Sequence, residues 1–154
     1  MSDLFSSSAD ALCVGDRFAT SPRTVTEADI VSFAALTGDA HPQHVDAAWA
    51  SSSRFGEQIA HGLLVLSIAS GSMPFDPEQI VALRRVGDAV FKQPVLIGDS
   101  VHVEGEVVSV RPIDEENGLV ECRWRVLNQH GRLVLRASVE LVWRRAPVRE
   151  PILL

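Results

Sequence analysis

One helix-length segment near the middle of the chain is apolar on almost every side. It begins near Ala60-His61-Gly62 and continues through Leu63-Leu64-Val65-Leu66-Ser67-Ile68-Ala69-Ser70. A helix on a protein surface keeps a broad polar face, so a helix without one is buried by the rest of the molecule. The sequence therefore predicts a central helix that other elements wrap around.

The wrapping elements come from the second half of the chain, where apolar and polar residues alternate. We predict four strands between Ile80 and Arg145, because alternation with a period of two residues is typical of half-buried strands. The clearest strand runs from Leu133 to Trp143. An earlier strand around Arg17 to Val25 would make five.

Local signals predict where these strands bend and turn. Gly87 and the phase slip at Val107-Val108 each indicate a β-bulge. Asn117-Gly118 and His130-Gly131 are dipeptides typical of hairpin turns between strands.

The order of the predicted elements defines an α+β protein. One strand, then helices, then an antiparallel run predicts a hot-dog fold, in which a curved antiparallel sheet of five to six strands wraps a central apolar helix. At 154 residues we expect a single domain spanning 1–154, with a core of about 11–145. Residues 1–10 and 146–154 are expected to be short flexible termini.

Two short helices should precede the central one. Thr26 is a good N-cap, and Asp29 can complete a capping box. Gly38 is a natural stop for this first helix. Pro42 then opens a second helix that we expect to continue through Trp49.

Charge and composition exclude several classes of function. A formal net charge of −6 and a pI near 5.3 argue against a general nucleic-acid binder, and Arg144, Arg145 and Arg149 form too weak a patch to reverse this. No apolar stretch is long enough to span a bilayer. The start of the chain lacks a secretory signal, and Cys13 and Cys122 show no metal-binding spacing. We therefore expect a cytoplasmic protein with no membrane contact.

The loop Gly38-Asp39-Ala40-His41-Pro42-Gln43-His44 contains a candidate acid–base pair. Asp39 and His44 lie five positions apart across a glycine turn and a proline-initiated helix, and they could converge on one point. A carboxylate and an imidazole suit proton transfer at neutral pH. The same residues are also ordinary turn and cap chemistry, and spacing does not decide between the two interpretations.

The start of the central helix is a second candidate. Gly62 has no side chain to keep a ligand from the backbone, and the N–H groups of a helix N-terminus favour a developing oxyanion. His61 by itself is more typical of a helix cap or a core histidine than of a catalyst.

These motifs together resemble the MaoC-like, or type 2 (R)-specific enoyl-CoA hydratase, family of hot-dog proteins. The resemblance covers about residues 24–73 and follows the family pattern Gly-Asp-x-Asn-Pro-x-His. It is carried by Phe33-Ala34-Ala35-Leu36-Thr37-Gly38-Asp39, Pro42, His44 and Asp46, and by Ile59-Ala60-His61-Gly62-Leu63-Leu64.

The resemblance implies roles for individual residues. Asp39 and His44 match the catalytic pair, and Gly62 matches the amide donor to the thioester carbonyl. Ser70 matches a supporting hydroxyl near the catalytic histidine. His41 stands where the family has Asn, so any orienting role there would pass to a ring nitrogen of His41.

A metal site built from Asp39, His41 and His44 is an alternative reading of the same loop. No cysteine or further ligand run supports it, so we expect neither a metal nor another cofactor.

The implied reaction is reversible syn addition of water to a 2-enoyl thioester carried by CoA or acyl-carrier protein. A hot-dog thioesterase and a non-catalytic acyl-thioester binding protein are the alternatives. One common thioesterase design places a carboxylate on the central helix, and 63–72 contains none. The resemblance also implies a homodimer or a higher homo-oligomer.

Overall fold

The structure, a computed structural model, describes residues 4–147. Two short 3-10 helices, Leu4–Ser6 and Ala9–Ala11, precede the main elements. The main elements in chain order are β1 (Arg17–Ala19), β2 (Arg23–Thr24), α1 (Glu27–Thr37), α2 (Pro42–Val45), α3 (Ala47–Ser51), α4 (Gly62–Gly71), β3 (Ile80–Phe91), β4 (Ser100–Pro112), β5 (Asn117–Asn128) and β6 (Leu133–Arg144).

The strands form one antiparallel sheet in the order β1-β4-β5-β6-β3, and β2 also pairs with β4. The four long strands confirm the prediction for 80–145, and the sheet has six strands, as expected for an α+β protein. The predicted early strand is split into β1 and β2. Pro22 lies in the gap, where its missing N–H could not join the ladder.

The two predicted bulges are both present. Pairing of β3 with β6 shifts between Gly87 and Val90, and Asp88 adopts a left-handed φ of 50° there. Pairing of β4 with β5 skips Val108. These irregularities bend long strands, which allows the sheet to curve around α4.

One of the two predicted hairpin turns is correct. Gly131, with φ 71°, closes the β5–β6 turn at the expected dipeptide. The prediction for Asn117-Gly118 is wrong, because both residues pair within β5. The turn lies earlier, where the carboxylate of Asp114 accepts hydrogen bonds from the backbone N–H groups of Glu116 and Asn117.

The helix α4 packs one side against the sheet. Leu64, Val65, Ile68 and Ala69 are buried in the core, which confirms that the apolar segment is a core helix. Leu63, however, is 62% exposed. The expectation of burial on nearly every side is therefore wrong for the first turn of α4, which borders a cavity described below.

Residues 4–10 pack on the core, contrary to the expectation of a flexible terminus, and residues 1–3 of that expectation lie outside the described part of the chain. Phe5 is buried and stacks on Trp143 with ring centroids 5.6 Å apart. The indole N–H of Trp143 donates to the carbonyl of Ser7 at 2.8 Å. Phe5 has no periodic partner in the sequence, so no local pattern predicts its burial. The expected flexible C-terminal tail lies largely outside the described residues.

In the part of the chain that the structure describes, no helix has the length and apolar character needed to cross a bilayer.

Candidate active site

The end of α1 aims the candidate loop toward α4. Thr26 and Asp29 form the predicted capping box, in which each side chain accepts from the other's backbone N–H. At the other end, Gly38 takes a left-handed conformation with φ 82° and closes the helix. This conformation is costly for residues with a Cβ, so glycine fixes the point where the chain turns into Asp39.

His41 starts the next helix. It is the N-cap of α2, and its Nδ1 accepts a hydrogen bond from the backbone N–H of Gln43 at 3.1 Å. Asparagine commonly caps a helix through a side-chain oxygen, and here a ring nitrogen does the same work. His41 is exposed and does not line the cavity near His44, so a role in substrate binding stays a prediction.

The second predicted helix is in fact two helices. Asp46 ends α2 and caps α3, where its carboxylate accepts from the N–H of Trp49 at 2.9 Å. Its extended backbone breaks the helix that we expected to continue from Pro42 through Trp49. The Asp46 carboxylate accepts a backbone N–H that a continuous helix would bond to a backbone carbonyl, and this explains the break.

His44 is buried on α2 and is held at both ring nitrogens. Its Nδ1–H donates to the carbonyl of Ile59 at 2.7 Å, and its Nε2 accepts from the side-chain amide of Gln43 at 3.1 Å. The amide of Gln58 also donates to the backbone carbonyl of His44 at 2.9 Å. A carbonyl can only accept, so the ring is the Nδ1–H tautomer and its basic lone pair is on Nε2.

Burial lowers the pKa of His44 below its ordinary value of 6.5. The electrostatic influence of His61 also lowers this pKa. The hydrogen bond to Ile59 and the carboxylate of Asp39 raise it, but each by less than burial lowers it. His44 is therefore a neutral base at neutral pH.

The structure brings Asp39, His44 and His61 together. Each offers one ligating or proton-transferring atom, and these atoms all lie within 4.8 Å of one another. Asp39 is exposed to solvent at the cavity, whereas both histidines are buried. The predicted pair therefore converges, and a third residue joins it.

The sequence predicts a helix cap or a core histidine at His61, and it does not predict the contact with His44. Its ring stacks on that of His44 with centroids 3.8 Å apart, and its Nε2–H donates to the backbone carbonyl of Asp39 at 2.8 Å. It occupies the N-cap position of α4 but makes no side-chain cap bond. The sequence does offer one indication of a position near the site, because His61 directly precedes Gly62 in the motif Ile59-Ala60-His61-Gly62-Leu63-Leu64.

Gly62 begins α4 at the same place. The first N–H groups of a helix have no partner within the helix, so those at the start of α4 are available to a ligand. A Cβ added at Gly62 would lie 2.7 Å from ring atoms of Phe91. Glycine therefore leaves room for the ring of Phe91 against this helix end.

A cavity of about 660 Å³ adjoins these groups. Arg54 and Lys92 contribute cations to its wall, and within the described part of the chain neither has a carboxylate at ion-pair distance. Its lining also includes Phe33, Asp39, Gln43, His44, Phe55, Ile59, Ala60, His61, Gly62, Leu63, Val65, Phe91, Pro94, Val95 and Val134.

Ser70, which the resemblance implies as a supporting hydroxyl near the catalytic histidine, lies outside the cavity wall. It is near the end of α4, two turns beyond Gly62. Both ring nitrogens of His44 already have other partners, so a supporting role for the Ser70 hydroxyl stays a prediction without a contact. Arg84 and Arg85 pair with Glu140.

The metal alternative fits this geometry poorly. His41 does not join Asp39 and His44 in the cluster of possible ligands, which contains His61 in its place. In the cluster that the structure does form, the rings of His44 and His61 are stacked with only 25° between their planes. The lone pairs of nearly parallel rings do not converge on one ion at the 2.0–2.1 Å that zinc requires. The arrangement suits proton transfer better.

Comparisons with known proteins agree with the fold. A protein from Mycobacterium tuberculosis described as a double hot-dog fold aligns with 94% of this chain and 46% of its own, at a TM-score of 0.81 and 21% identity. The R-hydratase of Pseudomonas aeruginosa aligns over 96% of each chain, at a TM-score of 0.76 and 29% identity.

Sequence comparisons extend this likeness. The chain is 33% identical to the (R)-specific enoyl-CoA hydratase of Aeromonas caviae over 128 residues, which are 83% of this chain and 92% of that protein. A family model described as a MaoC-like domain matches residues 11–128.

The fold thus defines a hot-dog protein, in which Asp39, His44 and His61 cluster at the start of the core helix. Within that class, the chain belongs to the MaoC-like dehydratase family. Relatives are named as enoyl-CoA hydratase, 3-hydroxybutyryl-CoA dehydratase and 3-hydroxyacyl-thioester dehydratase. Hydration and dehydration of acyl thioesters is therefore the family-level activity.

Proposed function

We propose that this protein is an (R)-specific hydratase that adds water reversibly to a 2-enoyl thioester. The observation that carries the proposal is the buried, neutral His44, which lines a cavity with Asp39 and has a ring nitrogen within 4.8 Å of a carboxylate oxygen of Asp39. This is the combination that general acid–base catalysis near neutral pH requires.

In the proposed reaction, one water displaces the amide of Gln43 from Nε2 of His44 and is held between that nitrogen and Asp39. His44 accepts a proton from the water as its oxygen bonds to C3 of the substrate. A proton from the pair is delivered to C2 on the same face, so the net change is addition of H and OH. The N–H of Gly62 stabilises the enolate on the thioester oxygen.

Arg54 and Lys92 support a phosphate-bearing carrier for the substrate. The chain has a net charge of −6, yet these two cations line the cavity without carboxylate partners among the described residues. Among residues 4–147, Asp39 is the only acid in the cavity wall. A CoA or acyl-carrier-protein thioester brings a phosphate group to this mouth, and the two cations offset the repulsion from the acidic surface.

The exposed edge of the sheet supports a homodimer. β3 is an edge strand, and Val81, Leu83 and Val86 on it are each at least 39% exposed. Long apolar edge strands pair with other chains unless they are covered. We propose that β3 joins the same strand of a second copy. A cytoplasmic location is consistent with the free thiols of Cys13 and Cys122.

One assay tests the function against its alternatives. The protein is incubated with crotonyl-CoA, and loss of enoyl absorbance is followed in parallel with release of free thiol. Absorbance loss without thiol supports the hydratase. Thiol release identifies a thioesterase, and binding without either change identifies a binding protein. Both of these outcomes overturn the proposal, and longer enoyl chains extend the test if the four-carbon substrate is inert.

A further inference from the structure

His61 lies among the residues that the proposed reaction uses. Its Nε2–H donates to the backbone carbonyl of Asp39 at 2.8 Å, and its ring stacks on His44 with centroids 3.8 Å apart. It is also the chain neighbour of Gly62. Phe33 packs against the His61 ring with centroids 4.9 Å apart, which limits its movement. The His61 side chain therefore contacts the backbone of Asp39 and the ring of His44, and its own backbone leads directly into Gly62.

The other ring nitrogen of His61 shows why an imidazole is needed here. Nδ1 is buried and has no hydrogen-bond partner among the described residues. An unpartnered buried polar atom lowers stability, and native proteins keep few of them. Phenylalanine would stack on His44 without that cost. What phenylalanine lacks is the N–H that the carbonyl of Asp39 accepts.

We propose that His61 is a positioning residue, which holds the Asp39 loop and the His44 ring in one arrangement relative to Gly62. Its buried Nδ1 does not reach a substrate in the cavity, so it acts through its neighbours. The loss of kcat expected on replacing His61 rests on the proposed hydratase function. The fixed conformation of the Asp39 loop does not depend on that function.

Three variants separate the two contacts. His61→Phe keeps the stacked ring and removes the N–H donor. His61→Gln keeps an N–H donor at similar reach and removes the ring, and His61→Ala removes both. His130→Ala, on the exposed β5–β6 turn, is the matched control because it lies outside the cavity.

We expect kcat to fall by about a hundredfold in the Phe and Ala variants, since a displacement of about 1 Å in a catalytic group has that effect. KM should change less than kcat, because His61 is one residue of a wall whose other lining residues are unchanged. The Gln variant should recover much of the loss. Wild-type kcat in His61→Phe, or a rise in KM that matches the fall in kcat, would overturn the proposal.

A second measurement does not depend on turnover. Backbone ¹⁵N order parameters of Asp39 and Ala40 report the motion of the loop on the picosecond-to-nanosecond scale. We expect them to fall from about 0.85 to below about 0.6 in His61→Phe but not in His130→Ala. Unchanged order parameters would refute the positioning role. If the wild type turns over no enoyl thioester but the loop loosens, the hydratase proposal fails and the positioning role stands.

Discussion

The imidazole of His44 and the carbonyl of Ile59 form a 2.7 Å hydrogen bond between residues that are 15 positions apart. This contact joins α2 to the segment that leads into α4, and it fixes which ring nitrogen carries the proton. The bond therefore links the folding of the loop to the chemistry of the base.

The first prediction concerns pH. Because burial lowers the pKa of His44, the midpoint of the decline in kcat/KM for hydration at acid pH should lie below 6.5. Initial rates with an enoyl-CoA substrate across buffers of constant ionic strength measure this. A midpoint above pH 6.5 would contradict the assignment of His44 as the base.

The same lowered pKa affects stability. Just below pH 6.5 the unfolded chain binds a proton at His44 that the folded chain does not, so the free energy of unfolding should decrease as the pH falls through this window. Denaturant unfolding of the wild type and of His44→Gln, compared over the same pH range, tests this. The dependence should be weaker in the variant.

The acid–base pair is tested by Asp39→Asn. We expect kcat to fall by about a hundredfold or more, the usual contribution of a general acid or base. The melting temperature should change little, because Asp39 is exposed. Glu115→Gln, in the exposed β4–β5 turn, makes the same chemical change away from the cavity and should leave kcat unchanged. Near-wild-type turnover in Asp39→Asn would remove Asp39 from the mechanism.

Gly62→Ala tests the start of α4. The new methyl group would lie 2.7 Å from the Phe91 ring, which must move outward, and it would crowd the N–H that we propose as the oxyanion donor. We expect kcat to fall by at least about tenfold. Gly71→Ala at the other end of α4 is the control, since a Cβ there meets nothing within 4 Å. Equal activity of the two variants would argue against an oxyanion role.

The two cations at the cavity mouth are tested by Arg54→Gln and Lys92→Gln. Each should raise KM for an enoyl-CoA by about two- to fivefold, as expected for a partly exposed ion pair. KM for the corresponding pantetheine thioester, which carries no phosphate, should not change. A parallel rise for both substrates would mean that these side chains shape the cavity and do not bind phosphate.

The edge strand is tested by Leu83→Lys. Leu83 is 49% exposed on β3, and a charge at the centre of an apolar interface prevents strand pairing between chains. Sedimentation analysis should give a dimer for the wild type and a monomer for the variant. A monomeric wild type would refute the proposed assembly.

Features with a local physical cause could be read from the sequence. The capping box of Thr26 and Asp29, the stop at Gly38 and the bulge at Val108 each depend on residues that are neighbours in the chain. The core helix and the long strands followed from their apolar periods for the same reason.

Features that depend on distant contacts could not be read in this way. At Asp46 the local sequence is compatible with one continuous helix or with two, and at Asp114 it is compatible with a turn there or at Asn117-Gly118. The burial of Phe5 needs Trp143, which is far away in the chain. His61 could be placed at the start of α4, but its contact with His44 exists only after α1, α2 and α4 have packed together.

The polar groups proposed for the reaction all lie in one stretch of chain, 39–62, whereas Phe91, Val95 and Val134 in the cavity wall come from the sheet and the segment after β3. The stretch 39–62 also contributes Phe55 and Ile59 to the wall, so the apolar lining comes from two separate parts of the chain. Phe91 bounds the start of α4 at Gly62, whereas Val95 and Val134 lie in the wall away from that glycine in the sequence. A change of acyl preference, by natural drift or in the laboratory, should therefore begin at Val95 and Val134.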